Sequence, residues 1–405
     1  MNPHRIYRGY LPFAGALALA LAGLALRAPA QTASVPPLSR LQKDAESALA
    51  RRHARRAVDL FQRAVERDPK WKEGWWRLGV LLYQDHQFSA ARIAFIHLTR
   101  LNRRLGAPWV LRGLCDFEMR DFNQSLLHIQ EGIALGLPPD PNLRQVAFYH
   151  QAQDLILMRD YDQAMLILRY FPMHQHETTG VLYAYGLAAL RIPLLSETLP
   201  QTIGGARLQL VRQVGRAEFL AGERKFALSL QLISRLVKAH PRTPNLHYVQ
   251  AVFLASQGRQ QASLQAFREE LQINPRSVPA RLQLASDNLA NNHLRHAAVY
   301  LDEALKLQPQ NFAAHYLRGE LLMQQQHYHA AARELEISKM IVPDDSQIRY
   351  ALAQAYLRLH RYAAARREQQ AFLRLRPLAS SLMQKGVLPA SAFLPRISKK
   401  PVTQH

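Results

Sequence analysis

Histidines are the residues in this chain best suited to chemistry, and there are 17 of them. Three groupings have a spacing that a metal site can use: His174-Gln175-His176-Glu177, His293 with His296, and His327 with His329. A metal requires three or four converging ligands, each oriented by an outer layer of hydrogen bonds. Pairs alone do not meet that condition, so the histidines are expected to be solvated turn residues, with no metal and no cofactor. The sequence has no G-x-x-x-x-G-K-S/T phosphate loop, no G-x-G-x-x-G after a strand and no H-E-x-x-H helix. Cys115 is the single cysteine, so no internal disulfide forms. It lies within an apolar helical pattern, where a free thiol behaves as a small buried hydrophobe. No catalytic residue is assigned, and the chain is not expected to be an enzyme.

The elements that would position any site come from an internal repeat. Pro241, Pro275, Pro309, Pro343 and Pro377 succeed one another at intervals of 34 residues. Around each, the same order recurs: an apolar helix, a turn, a second apolar helix, then the proline. Proline has no N–H and cannot continue a helix, so each is expected to stop the second helix of its unit. Small residues share one slot in the first helices (Gly79, Gly113, Gly186, Gly319) and another in the second (Ala57, Ala91, Ser125, Ala331). Small side chains at both points let paired helices approach closely, while larger apolar residues fill the rest of the contact.

The run Trp75-Trp76-Arg77-Leu78-Gly79, with Phe88, Ala91 and Phe95 after it, resembles the tetratricopeptide repeat. Trp109 with Gly113, and Gly319 with Tyr328, Ala331 and Leu335, repeat the theme. The resemblance implies an all-α fold, a right-handed α-solenoid superhelix of about ten helix-turn-helix units. Residues 38–191 would hold units one to four and the first helix of unit five; residues 207–379 would hold units six to ten. Between them, at 192–206, Pro193, Pro200 and Gly204-Gly205 forbid a regular helix, and a decayed repeat is expected there, the alternatives being a loop over the groove or a hinge.

The resemblance also implies that first helices line a concave groove that holds a protein or peptide partner. Trp76, Tyr149, Tyr183, Tyr248, Tyr316 and Tyr350 occupy the fifth position of their first helices, where they would face that groove. Glu218, Glu320 and Gln354 occupy the ninth position and would add polar contacts. Aromatic rings with a polar tip suit recognition, although packing against adjacent units would use the same residues. The set of Lys, Asn and Arg with which some members grip a terminal carboxylate has no counterpart here.

The ends of the chain carry a different message. Arg5 and Arg8 precede an apolar run from Leu11 to Leu26, and Ala28-Pro29-Ala30 completes a cleavable signal peptide over residues 1–30. Residues 31–37 form a linker. Export to the periplasm or exterior is expected, the alternative being an uncleaved anchor in the inner membrane. Lys and Arg total 52 against 30 Asp and Glu, a net charge of +22 that favours anionic partners. Anionic lipid or polysaccharide is therefore a second partner class, engaged through Arg51-Arg52-His53-Ala54-Arg55-Arg56 and a disordered basic tail at 380–405. Export argues against nucleic acid.

Overall fold

The computed structural model describes residues 37–138, 141–193 and 205–384, and among these every regular element is a helix. The leader, nearly all of the linker, most of the interrupted slot and the tail beyond 384 lie outside the described residues. The chain divides into two compact units after Asp160. The first contains α1 (Pro37–Ala50), α2 (Ala54–Arg67), α3 (Lys72–Gln84), α4 (Phe88–Leu101), α5 (Gly106–Glu118), α6 (Phe122–Leu135) and α7 (Pro141–Leu157). The second begins with α8 (Tyr161–Leu168), the short α9 (Tyr170–Met173), α10 (Thr179–Ala189) and α11 (Gly205–Gly222). It continues through α12 (Phe226–Ala239), α13 (Leu246–Ser256), α14 (Gln260–Ile273), α15 (Val278–Ala290) and α16 (Leu294–Leu307). The last four are α17 (Phe312–Gln324), α18 (Tyr328–Ile341), α19 (Ser346–Arg358) and α20 (Tyr362–Gln384).

Paired helices are joined by one recurring turn. Arg52, His86, Arg120, Arg159, Arg224, Asn292, Gln326 and His360 all adopt left-handed backbone, with φ between 57° and 66°. The next residue then donates its N–H back to the fifth residue before it: His53 to Ala48, Gln87 to Leu82, Lys225 to Leu220, His327 to Leu322 and Arg361 to Tyr356. This is the Schellman closure of a helix, which satisfies carbonyls that the helix end would otherwise leave open. Glycine is the favoured residue for it, yet only Gly258, at φ 72°, stands in this place. Elsewhere a side chain is accepted at a cost of about 1 kcal/mol.

A second tie holds the turns between repeats. The residue at the fourth position of the first-helix register, one before the aromatic slot, donates a side-chain N–H to the carbonyl six residues earlier. Trp75 Nε1 reaches Pro69 O at 3.0 Å and Trp109 Nε1 reaches Arg103 O at 3.2 Å. In the second unit, His247 Nε2 bonds Pro241 O at 3.0 Å, His315 Nε2 bonds Pro309 O at 2.8 Å, and Arg349 Nε bonds Pro343 O at 2.9 Å. Arg281 fills the same place and donates to Ser277 O at 3.3 Å. Four of the six add a carboxylate on the second helix of the same pair: His247 with Glu269, Arg281 with Glu303, His315 with Glu334 and Arg349 with Glu368. The slot needs a donor of adequate reach, and Trp, His and Arg all supply one.

The core lies between the helices of each pair and between adjacent pairs. Phe61, Phe95 and Ile129 in the first unit, and Ile233, Phe267, Leu301 and Leu335 in the second, occupy the same place in successive second helices and are buried. A methyl group added at Gly79, Gly113 or Gly319 would lie within 2.7 Å of Phe95, Ile129 or Leu335 respectively, which is why the first-helix slot must be small. Cys115 is buried in α5, as its apolar surroundings require, and that burial pushes its thiol pKa up.

Two features depart from the repeat. The helices α12, α14, α16 and α18 each end two residues before Pro241, Pro275, Pro309 and Pro343, as expected, but α20 continues through Pro377 to Gln384. In the earlier units the chain must turn back into another first helix, whose fourth residue ties the turn. No such helix comes after α20 among the described residues, so Pro377 interrupts the ladder without ending it. The other departure is at the interrupted slot. There α10 packs directly on α11, so closely that a Cβ on Gly186 would lie 1.8 Å from the Val211 carbonyl oxygen, and one on Gly215 would lie 1.8 Å from that of Leu182. Two glycines thus bring the helices backbone to backbone, and α10 stays with the helices C-terminal to the break.

Candidate functional site

The first-helix face holds the aromatic residues read from the repeat. In the first unit, Trp76 on α3 is half-buried and meets Phe95 of α4 edge-on, with centroids 6.3 Å apart. Tyr149 on α7 is half-buried, and its hydroxyl accepts from Gln153 Nε2 at 3.2 Å. Val110, in the same register on α5, is fully buried. The fifth position therefore mixes presented rings with core residues.

In the second unit Tyr183 on α10, Glu218 on α11 and Tyr248 on α13 are half-buried, whereas Leu282 on α15 belongs to the core. Tyr316 on α17 packs against two neighbouring core clusters, and burial, with the charge of Glu320 second, pushes its phenol pKa up. Tyr350 on α19 is 46% exposed and lies 5.4 Å from Phe372 of α20, centroid to centroid. Gln354, one turn further along α19, is half-buried. Tyr350 is the most open of these rings, and Tyr316 is chiefly structural.

Around Tyr248 the face becomes polar. Burial pushes the Tyr248 phenol pKa up to about 12; Arg191 and a hydrogen bond from Gln283 work against that shift, and Asp162 and Glu218 reinforce it. Arg191 is paired with Asp162 of α8 and also stands over the Tyr161 ring at 5.8 Å. Glu218 is pushed up to about 7 by burial, with Arg169 pulling the other way. Tyr185 on α10, 2% exposed, has a buried hydroxyl with no hydrogen-bond partner, and the Glu218 charge adds to the burial that raises its pKa. Tyr248 and Glu218 were legible from helix register. Arg191, Asp162, Arg169, Tyr185 and Gln283 were not, because the packing of α10 on α11 has no periodic signature.

Among the described residues no three His, Cys, Asp or Glu side chains are placed to hold a metal ion. His174 stacks on Tyr170 at 4.1 Å, and His293 and His296 meet edge-on at 6.2 Å. A cavity of about 350 Å³ opens where α10 meets α11, lined by Thr178, Thr179, Arg212 and the ion pair of Arg216 with Glu177.

Residues 43–96, 216–278 and 282–338 match the model of the tetratricopeptide repeat family. The helix pairs, the 34-residue register and the small-residue slots of the structure agree with that match. The chain carries tetratricopeptide repeats. It has an all-α repeat fold. No curated protein matches it. Among solved structures it is similar to that titled APC/C hetero-tetramer Cut9-Hcn1, with 11% identity, 84% of this chain and 87% of that one covered, and a TM-score of 0.38. It is similar also to a tetratricopeptide repeat protein from Parabacteroides merdae, with 11% identity, 78% and 98% covered, and a TM-score of 0.33. A third is YrrB, titled a TPR protein with an unusual peptide-binding site, with 13% identity, 54% and 94% covered, and a TM-score of 0.31.

Proposed function

We propose that this protein is an exported, non-catalytic scaffold that holds a protein or peptide partner on the first-helix face of its repeats. The observation that carries this reading is the presentation of Tyr183, Tyr248, Tyr350, Glu218 and Gln354 on first helices, with surface left accessible after the repeats have packed. Rings that keep one edge in solvent and a hydroxyl at the tip supply contact area at low entropic cost. The leader over residues 1–30 supports an envelope or extracellular address. Affinity capture with the mature chain tests the scaffold. Tyr350→Ala combined with Gln354→Ala is expected to reduce recovery of the partner while circular dichroism stays unchanged. Undiminished recovery would reject this part of the face.

A further inference from the structure

We propose, resting on the scaffold reading above, that Glu218 is the residue of this face that receives a lysine or arginine side chain from the partner. Five other glutamates of the second unit are held by the fold itself. Glu269, Glu303, Glu334 and Glu368 are each bonded to the side chain at the fourth position of a first-helix register. Glu270 caps α13, accepting the Asn245 backbone N–H at 2.7 Å. Those five have structural duties. Glu218 stands at the ninth position of the first-helix register, on α11, half-buried, with no hydrogen bond and no ion pair among the described residues. Removing a carboxylate from water without supplying a partner costs free energy, and folds rarely keep such a group idle.

The groups surrounding it leave the place open. Tyr185 on α10 is buried with an unpartnered hydroxyl, a second unmet polar atom in the same electrostatic neighbourhood. Tyr248 on α13 contributes a ring and a phenol that stays protonated. Arg191, at the end of α10, is held by Asp162. Arg169, between α8 and α9, acts on Glu218 through its field and makes no ion pair with it. An incoming ammonium or guanidinium would form a charge-assisted hydrogen bond with Glu218, while its methylene stem lay along the Tyr248 ring. Burial already favours protonated Glu218, so partner binding is expected to strengthen between pH 6 and pH 8, as the carboxylate becomes available.

A random peptide library displayed on phage and selected against the full chain at pH 8 tests this without a known partner. Selected peptides are expected to share one Lys or Arg at a fixed place. Glu218→Gln should abolish that preference and weaken a selected peptide about tenfold or more, with a smaller loss for Glu218→Asp. The wild-type protein should bind the same peptide more weakly at pH 6. Circular dichroism of both variants checks the fold. Peptides enriched without a basic residue, or with the same basic preference in Glu218→Gln, would overturn the assignment and leave the scaffold standing. No enrichment of any peptide would reject both.

Discussion

Asp154 concentrates the tension that a residue can carry in this fold. It is fully buried on α7, where Ser125 Oγ donates to its Oδ2 at 2.7 Å and its Oδ1 has no partner. Burial pushes its pKa up to about 8; the Ser125 hydrogen bond opposes the shift and the Asp116 charge adds to it. A carboxyl whose folded pKa exceeds its unfolded value near 3.8 binds its proton more tightly in the native state. Native stability from this group is therefore fullest below pH 4, declines as pH rises from about 4 to about 8, and is level above. Asp154→Asn, which cannot ionise, is expected to flatten that decline, retaining on the order of a few kcal/mol at pH 9. Urea melts of both proteins at pH 5, 7 and 9 check it, and parallel losses in the two would refute it. Nothing in the sequence marks Asp154: the slot pattern places it one residue past Gln153, and only the packing of α7 on α6 turns it inward.

At the scale of the helix, turns and seams set the sensitive places. Gly258 has φ 72°, and a Cβ there would meet nothing within 4 Å, so Gly258→Ala tests backbone strain alone. The expected loss is about 1 kcal/mol, read as a lower thermal midpoint. The α10–α11 seam is less forgiving, because a Cβ on Gly186 would strike a backbone oxygen that no rotamer change can move. Gly186→Val is expected to cost about 3 kcal/mol or more and to be the severest single change in the second unit. Helix pairs, the small slots and four of the five proline stops were legible because each stems from a period of 34. The fourth-position tie was half legible: Trp75 and Trp109 fit the familiar pattern, but His247, Arg281, His315 and Arg349 share only the ability to donate an N–H. Conversely, Pro377 read as a stop, and a stop requires a further helix after it as much as a proline. His315→Phe keeps the ring and removes both bonds, to Pro309 O and to Glu334, and should cost about 1–3 kcal/mol.

For the molecule as a whole, stacked repeats raise the question of where stacking ends. Each internal repeat buries the same apolar residue of its second helix; Phe61, Phe95, Ile129, Ile233, Phe267, Leu301 and Leu335 are all covered in this way. Thirty-four residues after Leu335 the same slot holds Gln369, and it is exposed. A terminal repeat with a polar outer face is what keeps a repeat array soluble. The two places therefore differ in their sensitivity to reciprocal exchange. Leu335→Gln puts an amide where no partner awaits it and empties a packed site, so a loss above about 3 kcal/mol is expected. Gln369→Leu changes a solvated position and should shift unfolding free energy by no more than about 0.5 kcal/mol. Chemical denaturation of the two variants beside the parent decides the matter. Comparable losses at both would mean that a further repeat, or another part of the chain, covers α20, and the array would not end where the pattern of buried residues ends it.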